Sequence, residues 1–234
     1  MRQVPYLIIG NGRLAQHLVH YFTLKNVSFF QWTRTQSQKK LRQLSKKIDK
    51  VLLAISDQAI ENFIIENSFL KQKQIIHFSG CLSTPLAFSA HPLMSFSRAL
   101  FKLTVYEKIP FILEKEGLRF HDLFPMLKNP AYYIPKIEKS YYHSLCVLSG
   151  NFSVLLWLKF MNECSSRYQI PPQATKQYMK AITKNLIHNP QAALTGPLVR
   201  KDIVTIEKNL QALKKDPFKG VYQAFVEAYH EKRT

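Results

Sequence analysis

A chain of 234 residues is longer than most single domains, and at 46% hydrophobic residues it holds enough apolar material for a sizeable core and too much for a disordered segment. Three cysteines, Cys81, Cys146 and Cys164, lie far apart without C-x-x-C spacing, which argues against a disulfide framework or a zinc site and for a reducing cytoplasm. The formal charge of +18 would suit nucleic acid or an anionic membrane, but the lysines are scattered in runs no longer than two, as on a solvated surface, so neither partner is expected.

The first apolar run, Val4 to Ile9, is too short for a signal segment, reads as a buried strand and ends at Gly10. Leu14, Leu18, Val19 and Phe22 repeat at helical spacing, predicting a helix over Gly12 to Lys25. A strand from Val27 to Trp32 and a basic helix from Ser37 to Lys47 follow. Lys50 to Ile55 reads as a third strand, and Asp57 opens a helix to Leu70 with a carboxylate suited to its N-terminus. Gln74 to Phe78 is a fourth strand, ending at Ser79-Gly80. Strands alternating with helices predict a doubly wound parallel sheet. Beyond it, short strands are expected near Ile109 to Leu113 and Ala131 to Ile134, around a helix from Gly117 to Lys128.

From residue 140 the pattern turns helical. One long helix runs to Tyr168 and stops at Pro171-Pro172, and others are expected over Gln173 to Ile187, Lys201 to Leu213 and Pro217 to His230. Residues 140–158 carry no charge other than His143, but Ser144, Ser149, Gly150, Asn151 and Ser153 favour a buried central helix over a membrane span. The fold class is therefore α/β, an N-terminal Rossmann domain over residues 1–137 followed by an all-α domain over 138–234. Apolar residues on more than one face of the long helix, with few residues left to cover them, predict a homodimer built on the C-terminal helices.

Gly10-Asn11-Gly12-Arg13-Leu14-Ala15 fits the G-x-G-x-x-G/A fingerprint in the context that gives it meaning, after a strand and opening a helix. Gly10 permits the turn, Gly12 lets the backbone approach a pyrophosphate, and Ala15 lets helix and strand pack closely. The second strand points to the cofactor. NAD readers place a carboxylate there for the ribose 2′-hydroxyl. This chain has Trp32-Thr33-Arg34-Thr35, and nine bases precede its first acid, Asp49. Arg34, with Thr33 beside it, suits a 2′-phosphate, so NADP(H) is expected in preference to NAD(H); a solvated arginine is the plainer alternative.

In an open α/β sheet ligands bind beyond the carboxyl ends of the strands, where Ser56-Asp57 and Ser79-Gly80 fall. Ser79 can hydrogen-bond a nicotinamide amide or a substrate carbonyl, or serve only as a cap. His91, ahead of Pro92, is held extended in a loop and can act as a general acid, or simply pack. His17 and His20 stand three apart without a third ligand, and no metal site is expected.

Taken together, Gly10 to Ala15, Leu53-Ala-Ile-Ser-Asp57, His77-Phe-Ser-Gly80, His91-Pro-Leu93, Tyr142-His143 with Ser149-Gly-Asn151, and Leu194-Thr-Gly-Pro-Leu-Val-Arg200 with Asp202 resemble one group of proteins. It is the family of two-domain Rossmann proteins whose C-terminal domain is catalogued as of unknown function, with ketopantoate reductase, pyrroline-5-carboxylate reductase and prephenate dehydrogenase as wider relatives. The resemblance implies a cleft between the domains, lined by the start of the long helix. His143 then becomes a proton-donor candidate and Asn151 a positioning amide, against the alternative that both are core residues. Asn185, Arg200 and Asp202 are candidates for a second wall, although Asp202 can equally cap a helix. Two readings of function stand: an NADP-dependent oxidoreductase moving hydride to or from a small carbonyl, imine or hydroxy acid, and a dinucleotide-binding sensor or scaffold without turnover. A basic nucleic-acid-binding protein on a degenerate fold is a third, marked by steep salt dependence.

Overall fold

The computed structural model describes residues 4–231, which form two compact units, residues 4–154 and 155–231. In the first unit the expected alternation is present. Strand β1 (Tyr6–Ile9) leads into α1 (Arg13–Leu24), β2 (Phe29–Trp32), α2 (Gln38–Ser45), β3 (Lys50–Leu53), α3 (Asp57–Glu66) and β4 (Gln74–His77). The chain continues through β5 (Phe88–Pro92), the single turn α4 (Leu103–Tyr106), β6 (Phe111–Glu114), a second single turn α5 (Phe120–Leu123), and β7 (Ala131–Ile134).

The seven strands lie in the order β2-β1-β3-β4-β5-β6-β7. Every pairing is parallel except β5 with β6, so the sheet is mostly parallel rather than wholly so. From β1 the chain goes to β2 on one side and crosses back to β3 on the other. Ligands of open α/β sheets enter at such a reversal. All four residues of β1 are buried, as befits a strand covered on both faces. One core, with Ile8, Phe22, Leu52 and Phe124, fills one face; the other, with Leu7, Ile9, Val51 and Ile64, fills the opposite face.

Several expectations change here. His91 belongs to β5 and not to a loop, paired with Ile112. The helix expected from Gly117 to Lys128 contracts to one turn, because Pro125 follows Phe124 and disfavours helical geometry there. Ser56 occupies the N-cap of α3, with no side-chain cap; Asp57 is the first helical residue and spends its carboxylate elsewhere. His17 packs into the sheet unit: its Nδ1 meets Tyr106 Oη at 2.7 Å and its Nε2 meets the Ser97 carbonyl at 2.9 Å.

The long helix begins as α6 (Lys139–Cys146), widens into a π segment (Val147–Phe152) and resumes as α7 (Ser153–Tyr168). The expectation that it is buried does not hold within one chain. Leu145, Leu148, Phe152, Leu155 and Leu158 are each exposed, and the 33-residue helix from Lys136 to Tyr168 contains an 18-residue stretch of mean hydropathy 1.5, long and apolar enough to cross a membrane.

The second unit holds the rest of α7 with α8 (Pro172–His188), the turn α9 (Pro197–Arg200), α10 (Ile203–Ala212) and α11 (Lys219–Glu231). Trp157, Phe160 and Tyr178 form a ring cluster, and Lys159 bridges Glu163 at 3.0 Å and Asp216 at 2.6 Å. The helix expected from Lys201 begins at Ile203. Gly196 and Lys201 adopt positive φ, and Asp202 caps α10 by accepting from Thr205 N at 3.0 Å. Two bonds donated by Thr205, from its hydroxyl and its amide, hold the Asp202 carboxyl below its usual range.

Candidate functional site

The carboxyl ends of β1, β2 and β3 border a cleft of about 1000 Å³. Its lining includes Gly10, Asn11, Gly12, Arg13 and Leu14 after β1, Thr33, Arg34 and Thr35 after β2, and Ala54 to Ser56 after β3. The glycines divide the work. Gly10 has φ +123°, and a Cβ there would lie 2.3 Å from the Ala54 carbonyl oxygen, so no other residue fits between β1 and β3. A Cβ on Gly12 would meet nothing within 4 Å: this peptide faces open space at the start of α1, whose first amides have no partner within the helix. Ala15 is fully buried between helix and sheet. A volume of this size, an open backbone cradle and a helix N-terminus together fit a dinucleotide.

The turn after β2 is held in shape before any ligand arrives. Thr33 N donates to Gln36 Oε1 at 3.0 Å, the Thr33 and Thr35 hydroxyls bond at 2.8 Å, and Trp32 Nε1 donates to the Ser37 carbonyl. Ser37 caps α2 through Lys40 N. Arg34 is exposed on this turn, and no described ion pair engages it. Glu66, on the α3 side, is the single carboxylate in the lining.

Ser79 and Gly80 lie past the end of β4. Ser79 Oγ donates to Asp57 Oδ2 at 2.5 Å and accepts from the amides of Leu82 at 2.8 Å and Cys81 at 3.2 Å, so its hydroxyl is committed to the turn. Asp57 thus serves Ser79 and does not line the cleft. His77, fully buried, accepts from Ser79 N at its Nδ1, and burial with the Lys139 charge nearby brings its pKa down to about 3. Gly80 is pressed by two histidines: a Cβ would lie 2.5 Å from His143 Cδ2 and 3.1 Å from His91 Cδ2 and Nε2. The His91 and His143 rings meet edge to face at 6.0 Å. Residues 52 positions apart are thereby joined on the Gly80 edge. Burial, then the charges of His143 and Lys139, opposed by Asp57, hold His91 at about 4, so it is neutral near pH 7.

Asn151 is exposed in the π segment. A π segment uses more residues per turn than an α-helix, so eight residues on from His143 come nearer two full turns, keeping Asn151 toward His143's face. Asn185, Arg200 and Asp202 lie in the second unit, the first two exposed.

Lys139 and its partners in this region carry no motif. Lys139, only 3% exposed, bonds Glu114 Oε1 at 3.0 Å, Ser89 Oγ at 2.6 Å and the Leu82 carbonyl. Glu114 also accepts from Ser83 Oγ at 3.1 Å. This ties the first turn of α6 to β5 and β6, and so sets where Tyr142 and His143 stand. A carboxylate ending the otherwise apolar strand Phe111 to Glu114 is the signal that a buried partner exists.

Residues 114–229 match the model of a domain of unknown function, DUF2520. No curated protein sequence matches the chain. Among solved structures, a Bacteroides fragilis protein provisionally described as an NADP oxidoreductase is 18% identical with a TM-score of 0.75, each chain covered over 98%. A Thermotoga maritima protein is 22% identical with a TM-score of 0.69, each covered over 97%. Pyrroline carboxylate reductase of Plasmodium falciparum, solved with NADP bound, is 14% identical with a TM-score of 0.57, each covered over 98%. These likenesses establish the fold.

Proposed function

We propose that this chain, whose residues 114–229 match the DUF2520 domain, is a two-domain Rossmann protein of that group and an NADP-dependent oxidoreductase acting on a small carbonyl, imine or hydroxy-acid substrate. The observation that carries this reading is the continuity of one strand-end surface. The dinucleotide cleft opens at β1 to β3, and the Gly80 edge with His91 and His143 stands just past β4. The names of the fold relatives run the same way: NADP appears with two of them.

Gly12 and the first amides of α1 hold the pyrophosphate, and Arg34 with Thr33 takes the 2′-phosphate. When bound, the reduced nicotinamide supplies a hydride to the substrate carbon. His91 and His143 close over Gly80, and in this reading the substrate heteroatom is oriented beside their rings and receives its proton there. His143 is the proton donor in this reading and Asn151 an orienting amide. A panel of keto acids, ketones and cyclic imines, followed by NADPH absorbance, tests it. Tight NADPH binding with no turnover on any member would leave the sensor reading instead.

His143→Ala and Asn151→Ala are expected to lower turnover at least about tenfold while NADPH affinity stays within about twofold, since the nucleotide is held at β1 to β3. Thermal unfolding run beside the kinetics checks this. Parallel loss of stability and activity in both variants would mark them as packing residues.

The exposed apolar residues of the long helix support a homodimer as the working form, with the C-terminal helices as its interface. Lys139, held in three bonds against the sheet unit, argues against a bilayer as the cover for the start of this helix. Light scattering at micromolar concentration should give a dimer mass; a monomer would remove the proposal. A cytoplasmic location, with its cysteines reduced, completes the reading.

A further inference from the structure

The hydrogen bond behind His91 has no part in the scheme above. Tyr142 Oη stands 2.9 Å from His91 Nδ1, with the rings edge to face at 5.7 Å. A phenol is the better proton donor of this pair and an imidazole nitrogen a strong acceptor, so the phenol proton goes to His91 Nδ1. The donation is directed toward Gly80. Cys146 lies one helical turn further along α6. Desolvation and Cys146 both push the Tyr142 phenol well above its ordinary range, so it is a donor throughout the neutral range.

We propose that Tyr142 is a positioning residue that holds His91 as the Nε2–H tautomer, so that the imidazole offers the Gly80 edge a neutral hydrogen-bond donor and selects substrates whose reacting group brings a lone pair. The Nε2 edge is the one turned to Gly80, and no described hydrogen bond uses it. The charged and titratable groups around His91 are His143 and Lys139, which disfavour a second proton on the ring, and Asp57, which opposes them. An imidazole kept uncharged polarises a carbonyl by donating without giving up its proton. Ketones, aldehydes and unprotonated imines bring the lone pair that this donor needs. A protonated iminium does not.

This inference rests on the oxidoreductase reading for its substrate, but its test does not. In the full-length chain labelled with ¹⁵N-histidine, imidazole NMR at neutral pH reads the tautomer directly, with His91 assigned by its loss in His91→Gln. The wild type should show Nε2 protonated and Nδ1 bare. In Tyr142→Phe the two ring-nitrogen shifts should converge as both tautomers become populated, and kcat/KM on a carbonyl substrate should fall about tenfold. An Nδ1–H tautomer in the wild type overturns the proposal, whether or not the variant folds. So does an unchanged tautomer in a folded Tyr142→Phe. An Nε2–H tautomer that depends on Tyr142 in a chain without turnover would support the tie and defeat the oxidoreductase reading. Turnover with an Nδ1–H His91 would defeat this inference alone.

Discussion

Replacing Arg34 by alanine should weaken NADPH binding about ten- to hundredfold and leave NADH binding nearly unchanged, since a charge-assisted hydrogen bond is worth about 1.5–3 kcal/mol. The structure places Arg34 in the cleft lining, on a turn already shaped by Gln36, Thr35 and Ser37. No described ion pair competes for its guanidinium. A planar, permanently charged fork matches phosphate oxygens, and the bare ribose of NADH has nothing to offer it. Arg34→Lys should recover only part of the loss, because an ammonium cannot bind two oxygens in a plane. Fluorescence titrations of both cofactors against wild type and variants decide the matter. A wild type that prefers NADH, or an equal loss for both cofactors, would remove Arg34 from the role and direct attention to Glu66, the carboxylate in the same lining.

Lys139→Met should cost about 3–5 kcal/mol of stability in the first unit, the usual penalty for stripping one partner from a buried ion pair. The substitution leaves the Glu114 carboxylate, its side chain 11% exposed, with only the Ser83 hydroxyl. The double variant Lys139→Met, Glu114→Gln removes the stranded charge and should recover much of the loss, because the pair contributes position more than net stability. Trp32 and Trp157 are the only tryptophans, so Trp32 emission in a Trp157→Phe background reports the first unit in urea. A double variant no more stable than the single one would show that the buried charge was not the cause. The same variants should loosen the start of α6, and with it the hydrogen bond from Tyr142 to His91.

The stretch from β1 to β4 was readable because its signals are local. Apolar residues repeat at spacings that belong to strands or helices, and each break carries a glycine or a polar cap. The glycine turn was readable for a related reason. Gly10 is required by backbone geometry, Gly12 follows two residues on at the start of a helix, and Arg34 is marked by the absence of an acid from its surroundings. The same reasoning missed β5, because five residues containing His91-Pro92 show neither a period nor a continuous apolar run. It stretched α5 to twelve residues, because apolar spacing persists past Phe124 although Pro125 ends the turn.

The rest depends on residues far apart in the chain. Lys139 looks like a solvated charge at a helix start until Glu114, Ser89 and Leu82 close around it. Tyr142 and His91 are 51 residues apart, and no periodicity couples them. Ser79 reads from the sequence as a ligand contact or a cap, and the fold turns its hydroxyl to Asp57 and two backbone amides. Sequence spacing sets which side of a helix or strand a residue occupies. It does not set what stands opposite, because that follows from strand order and from which buried polar groups must find partners once water is gone.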